Sequence, residues 1–238
     1  MASLLVPLAQ SGFLDNFQRA FYNNFIHENR YRFLLEGLGI TLQVTFFAIL
    51  LGILIGFVLA FCKLSPYRIL RALSSAYINV IRGTPVVTQL LIIYFIVFGS
   101  ANVSRVLVAI IAFGINSGAY VAEIVRGGIL SVDRGQMEAG RSLGLSYRQA
   151  MGHVVIPQAL KNIFPALVNE FIVLLKETAI VGYIALADLT KGADIIRSRT
   201  YDPTMPLLAA ALIYLSLTTV LSRGMGVMER RLRKGDQH

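Results

Sequence analysis

Residues 138–157 read Glu138-Ala139-Gly140-Arg-Ser-Leu143-Gly144-Leu145-Ser146-Tyr147-Arg-Gln149-Ala-Met-Gly-His-Val154-Val-Ile156-Pro157, a polar, Arg-bearing stretch between two strongly apolar ones. Gly144 is free to take the left-handed conformation that ends a helix, which predicts a short helix from about Gln136 to Leu143. Ser146 followed by Gln149 has the spacing of a capping box, so a second helix starts at once. Pro157 cannot continue that helix's hydrogen bonding and marks where the next begins. The expected product is a rigid bent element projecting Leu143, Leu145 and Tyr147, a shape suited to a groove on a partner.

The flanks of this element define the solvent. Hydrophobic residues make up 55% of the 238-residue chain and charged residues 15%, a balance foreign to soluble domains of this length. Apolar segments of spanning length, about 20 residues each, occur at roughly Leu38–Phe61, Ala76–Phe98, Val106–Val125, Ile163–Ala187 and Leu207–Val227. The chain therefore reads as an all-α membrane protein with five transmembrane helices, and its ends lie on opposite sides. Lys and Arg are retained on the cytoplasmic side. An outside amino terminus puts twelve of them inside, from Lys63 to Lys234, against seven outside, from Arg19 to Arg199. The expected topology is amino terminus out and carboxyl terminus in, which places the Glu138 loop in the cytoplasm.

Other classes fit poorly. The net charge of +9 is dispersed at span ends with no nucleic-acid-binding motif. Cys62 is the lone cysteine, so no disulfide forms within the chain, and His27, His153 and His238 show no metal-ligand spacing. The start of the chain lacks the basic region of a signal peptide, so the first span is expected to direct insertion. Phe13, Phe17, Phe21 and Phe25 recur at fours among polar residues, the pattern of a helix lying in the membrane interface.

Arg82-Gly83-Thr84-Pro85 interrupts the second span. Pro85 removes a helical hydrogen bond and disfavours helical geometry at Thr84. Such a break is tolerated in a membrane where it is buried in protein or lines a cavity. Arg82 is expected to snorkel to the cytoplasmic interface. The phosphate-binding Gly-x4-Gly-Lys-Ser/Thr pattern is absent from the sequence, so the chain is not expected to bind or hydrolyse ATP itself.

The Glu138–Pro157 stretch resembles the coupling loop of ABC importer permeases, which reads Glu-Ala-Ala, three residues, Gly, nine residues, Ile-x-Leu-Pro; Gly140, Val154 and Ile156 are the departures. Tyr77–Pro85 with Gln89 and Leu90, Ala119–Ile129 with Gln136, and Asn169–Phe171 with Leu174–Thr178 are similar to the polar amino acid permeases, the histidine, glutamine, glutamate and arginine group. Glu177 and Ala179-Ile180 stand where that group often has Asp and Ser-Leu.

What the resemblance implies is a type I ABC importer permease fold in a prokaryotic cell membrane. A second permease chain, identical or a paralogue, two cytoplasmic ATPases that bind ATP and Mg, and an extracytoplasmic protein delivering a polar or charged amino acid would complete the importer. Residues 1–33 would be an extracytoplasmic segment, 34–228 the permease domain with its cytoplasmic loop at 127–161, and 229–238 a basic tail. Glu138, Ala139, Gly140, Leu143, Gly144 and Tyr147 would couple to the ATPase.

An ionisable residue inside a span is a site candidate. Glu170 and Glu177 share a helix face, as do Asn169 and Lys176; with Gln89, Asn116 and Tyr120 they are the candidate substrate path, and no cofactor is expected in this chain. The same groups could instead bond neighbouring helices. Gly52-x3-Gly56 and Gly114-x3-Gly118 read as packing positions, with the seam between two permease chains as one setting. A secondary transporter is the alternative function, yet no internal repeat relates the two halves. A scaffold that only recruits a partner leaves the broken span and the charges of the fourth span unaccounted for.

Overall fold

The computed structural model describes residues 12–234, and they contain helices and no strand. The first residues of the amino-terminal segment and the last of the basic tail lie outside that range. In chain order the helices are α1 (Phe13–Phe21), α2 (Tyr31–Leu64), α3 (Arg68–Arg82), α4 (Val86–Ile92), α5 (Arg105–Leu130), α6 (Arg134–Ser142), α7 (Tyr147–Ala150), α8 (Ile156–Glu177), α9 (Leu189–Thr200) and α10 (Thr204–Lys234). α2, α5 and α10 are each long and apolar enough to cross a membrane.

The second expected span is not one helix. α3 starts eight residues before Ala76, and the axis turns by 104° between α3 and the Val86–Val97 segment. Pro85 holds the extended backbone of the break, with φ −64° and ψ 135°. Nor is the fourth a simple crossing. α8 carries Lys161, Glu170, Lys176 and Glu177, ends at Glu177, and passes into a 3-10 turn, Thr178–Ile184, closed by Ala185 at φ 54°.

The two glycine pairs face each other within the chain and build its central contact. A Cβ on Gly56 would lie 2.5 Å from Val121, and one on Gly52 2.9 Å from Ser117; Gly114 and Gly118 are equally crowded by Leu51 and Ile55. Small residues bring α2 and α5 close enough for their backbones to interlock, which is how helices associate where lipid removes the hydrophobic drive. These glycines therefore belong to the subunit core rather than to a seam between copies. Around them Val44, Ala48, Phe113, Val125, Ile163 and Leu174 are buried together.

α1 is helical as the phenylalanine spacing predicts, but a π turn at Tyr22–Ile26 follows it. The extra residue of a π turn shifts the register. Phe17 and Phe21 stay open while Phe25 is buried with Leu34, Leu189 and Ile196. The aromatic row thus splits into an exposed part and an anchor.

Candidate functional site

The broken span is stitched by one side chain. Gln89 Nε2 lies 2.7 Å from the Ile81 carbonyl, 2.7 Å from Thr84 Oγ1 and 3.1 Å from the Thr84 carbonyl. It thereby satisfies acceptors that Pro85, having no N–H, leaves open at the end of α3. Its Oε1 accepts from Asn116 Nδ2 at 2.9 Å. On α5 the next residue, Ser117, donates its hydroxyl to Glu170 Oε1 of α8 at 2.9 Å. A polar line through apolar packing therefore joins α4, α5 and α8, and Gln89, Asn116, Ser117 and Glu170 are all buried in it.

Tyr120, one turn along α5 from Asn116, lies under the Arg82 guanidinium, 5.1 Å from its ring centre. Arg82 is stacked on an aromatic face beside the exposed break, about 20 Å along the axis of α3 from its start at Arg68. Asn169 and Lys176 share a face as expected, and both are exposed on the outside of the subunit. Glu177 is half-buried at the end of α8. The structure pairs Asn116 with Gln89 and, one residue on along α5, Ser117 with Glu170, and leaves Asn169 and Lys176 off both pairs.

Sequence reasoning missed Ser117, a small polar residue with nothing to mark it inside a Gly-rich run. It also missed a charge cluster. Lys63 at the end of α2 donates to Glu123 Oε1 on α5, and Arg126 donates to Glu123 Oε2 at 2.7 Å. The i,i+3 spacing of Glu123 and Arg126 near a span end was the available signal.

The extramembrane elbow forms from the caps that the sequence announces. Gly144, at φ 90°, ends α6; its N–H donates to the Arg141 carbonyl at 3.1 Å and that of Leu145 to Gly140 at 3.2 Å, the paired bonds of a Schellman motif. Ser146 and Gln149 close a capping box at the start of α7. α6 starts at Arg134 rather than Gln136, because Asp133 caps it through the Gly135 amide.

Leu143 is 85% and Tyr147 56% exposed, so two of the three expected side chains project. Leu145 instead turns inward toward Gly140, where a Cβ would meet it at 3.6 Å and Ala150 at 3.3 Å. Glu138 and Ala139 lie on the exposed side of α6, and Gly140 is buried in the elbow. Pro157 does not separate α7 from α8. A π turn, Met151–Val155, carries the helix through it, and the widened turn accommodates a residue with no N–H to donate.

A bundle of spanning helices, a stitched break on a buried polar line and a rigid capped elbow outside the bundle together define a membrane permease. The chain belongs to the family described as binding-protein-dependent transport system inner membrane component, matched over residues 32–234. It is a permease subunit of an ABC transporter. It is 41% identical over 206 residues to the arginine transport system permease protein ArtQ of Bacillus subtilis, covering 86% of this chain and 94% of that one. A putative glutamine transport system permease protein, GlnP of Rickettsia typhi, is 39% identical over 84% of this chain and 93% of its own. The fold matches a crystal structure of an amino acid ABC transporter with histidines at a TM-score of 0.81 and 48% identity, over 87% of this chain and 98% of that one. The MetNI methionine ABC transporter, at 22% identity and TM-score 0.71 over 84% and 96%, shares the fold. The relatives and neighbours are ABC permeases, which removes the secondary-transporter alternative.

Proposed function

We propose that this chain forms the translocation path of an ATP-driven importer of polar or charged amino acids and couples it to a cytoplasmic ATPase through α6, Gly144 and α7. The observation that carries the reading is the elbow. It exposes Leu143 and Tyr147 at a turn braced by a Schellman motif and a capping box, a stiff knob that transmits displacement rather than absorbing it. At its far end the backbone continues as helix through Met151–Val155 into α8, the helix that bears Glu170.

ATP and Mg would reside on the partner ATPase, two of which would pair with two permease chains, and an extracytoplasmic protein would deliver the substrate. The amino-terminus-out, carboxyl-terminus-in topology puts the elbow on the ATPase side. The relatives named for arginine and glutamine and the neighbour named for histidines support a polar or charged amino acid as cargo. Glu170, Gln89 and Asn116 would line the path, where a carboxylate can meet an ammonium and amides can accept or donate. Glu177 would border it from the end of α8, with Arg82 and Tyr120 at the break, while the exposed Asn169 and Lys176 stand apart from it.

The test is reconstitution of the permease with its ATPase and delivering protein, measuring ATP-driven uptake of arginine, histidine, glutamine, glutamate and cystine with and without Gly144→Asp. An Asp at φ 90° is strained by about 1–2 kcal/mol, and since a Cβ at Gly144 meets nothing within 4 Å its charge stands on the outer surface of the elbow. Uptake is expected to stop while the chain stays inserted. Uptake indifferent to both ATP and this change would overturn the proposal.

A further inference from the structure

The structure carries a second feature, away from the polar line and the elbow, where α9 meets the start of α10. A cavity of about 570 Å3 there is lined by Thr190, Lys191, Asp194 and Arg197 of α9 and by Leu207 of α10. A second cavity of about 360 Å3 shares Ala179, Thr190 and Leu207 with it and continues past Ala210, Ala211 and Tyr214, with Lys176 at its side. The two form one groove, polar at one end and apolar at the other.

We propose that this groove holds one anionic phospholipid, its phosphate against Lys191 and Arg197 and an acyl chain along α10. Three cations, Lys176, Lys191 and Arg197, line it against a single carboxylate, Asp194, which accepts from both Lys191 and Arg197. The excess positive charge matches a headgroup of net negative charge.

Below the charges, Leu207, Ala210, Ala211 and Tyr214 follow i, i+3, i+4, i+7 and present one face of α10 for about 10 Å. Two alanines make that face shallow enough to admit a chain. The groove opens on a helix whose apolar stretch is only 11% buried within the subunit and long enough to cross the bilayer. Its polar end coincides with the start of that helix, where headgroups lie. A soluble partner would match only the charged end, whereas an amphiphile matches the whole gradient.

The test uses the complete importer in nanodiscs of phosphatidylcholine containing a minor fraction of phosphatidylglycerol with a photoactivatable acyl chain, followed by peptide mapping of the label. Label is expected on the segment 204–214, several-fold reduced by Lys191→Gln combined with Arg197→Gln, and unchanged by Arg223→Gln, an exposed cation off the groove. Photoactivatable phosphatidylcholine at the same fraction should label that segment several-fold less. Equal labelling by the two lipids, or indifference to the double variant with the complex intact by size-exclusion chromatography, overturns the proposal. So does an unlabelled segment whose Leu207→Cys variant cross-links to a second copy, since a protein surface then fills the groove.

Discussion

Asn116 Nδ2 donates to Gln89 Oε1 at 2.9 Å, and the same Gln89 satisfies the carbonyls stranded by the break before Pro85. One side chain thus caps the broken helix and ties it to α5. Replacing it with an apolar group of similar size, Gln89→Leu, strands the buried Asn116 amide, at about 1–3 kcal/mol for a buried unsatisfied group, and leaves the Ile81 carbonyl only the longer bonds from Thr84. The expected result is a lower thermal unfolding midpoint of the purified complex, read by differential scanning. An unchanged midpoint would show that water replaces the amide at the break.

Glu170 offers the sharper test of the path. Glu170→Gln keeps a carbonyl oxygen to accept from Ser117 but removes the charge, so packing is preserved. Uptake is expected to fall about tenfold or more, equivalent to about 1.4 kcal/mol, with the unfolding midpoint little changed. If uptake and substrate-stimulated ATP hydrolysis both match the parent chain, Glu170 serves to bond helices and the path lies elsewhere.

Leu143 is too exposed to support the subunit's own fold. Leu143→Ala is expected to leave the permease as stable as before and to weaken its association with the ATPase by about 1–3 kcal/mol, the range of an apolar anchor residue at an interface. Co-purification of the ATPase in a titration of detergent or salt measures this. Full retention would remove Leu143 from the contact.

The glycine stripe predicts a contrast within α2. Gly56→Leu forces a side chain into Val121, whereas at Gly39 a Cβ meets nothing within 4 Å. Overpacking of a close helix contact costs about 1–3 kcal/mol or more. Gly56→Leu should abolish recovery of folded permease from the membrane, and Gly39→Leu should leave it near normal; equal yields would sink the account of the α2–α5 contact.

Asp194 sits outside the spans, and its carboxyl is held below the ordinary carboxylate range by hydrogen bonds from Lys191 first and Arg197 next. A depressed value in the folded state means that the clasp contributes above the unfolded value, about 3.9, and is lost as pH falls through the lower folded one. Carbon-13 NMR of labelled aspartate should give a midpoint under that of a free side chain, moved upward by Lys191→Gln. A midpoint at or above the free value contradicts the pairing.

Much of this architecture was legible because it is local. The stop at Gly144 needs only a left-handed residue, the start at Ser146 only a hydroxyl and a glutamine three residues on, and the break at Pro85 only a missing N–H. Each acts within a turn or two of its own position. One boundary moved because a neighbouring cap was passed over: Asp133, accepting from the Gly135 amide, starts α6 at Arg134. Others moved where a π turn changed the register, separating Phe25 from Phe17 and carrying α7 through Pro157.

By itself the sequence determined a bilayer-spanning helical chain with a broken second segment and a capped elbow, since apolar length and backbone chemistry are properties of consecutive residues. Tertiary structure alone decided that Gly52 and Gly56 interlock with Gly114 and Gly118 inside one subunit. It also decided that Glu170 rather than its neighbour Asn169 is the α8 residue that meets α5, at Ser117, and that Leu145 folds inward while Leu143 and Tyr147 project. Which face of a helix meets which neighbour depends on the rotation and crossing of helices far apart in the chain, and periodicity within one helix fixes only that a face exists.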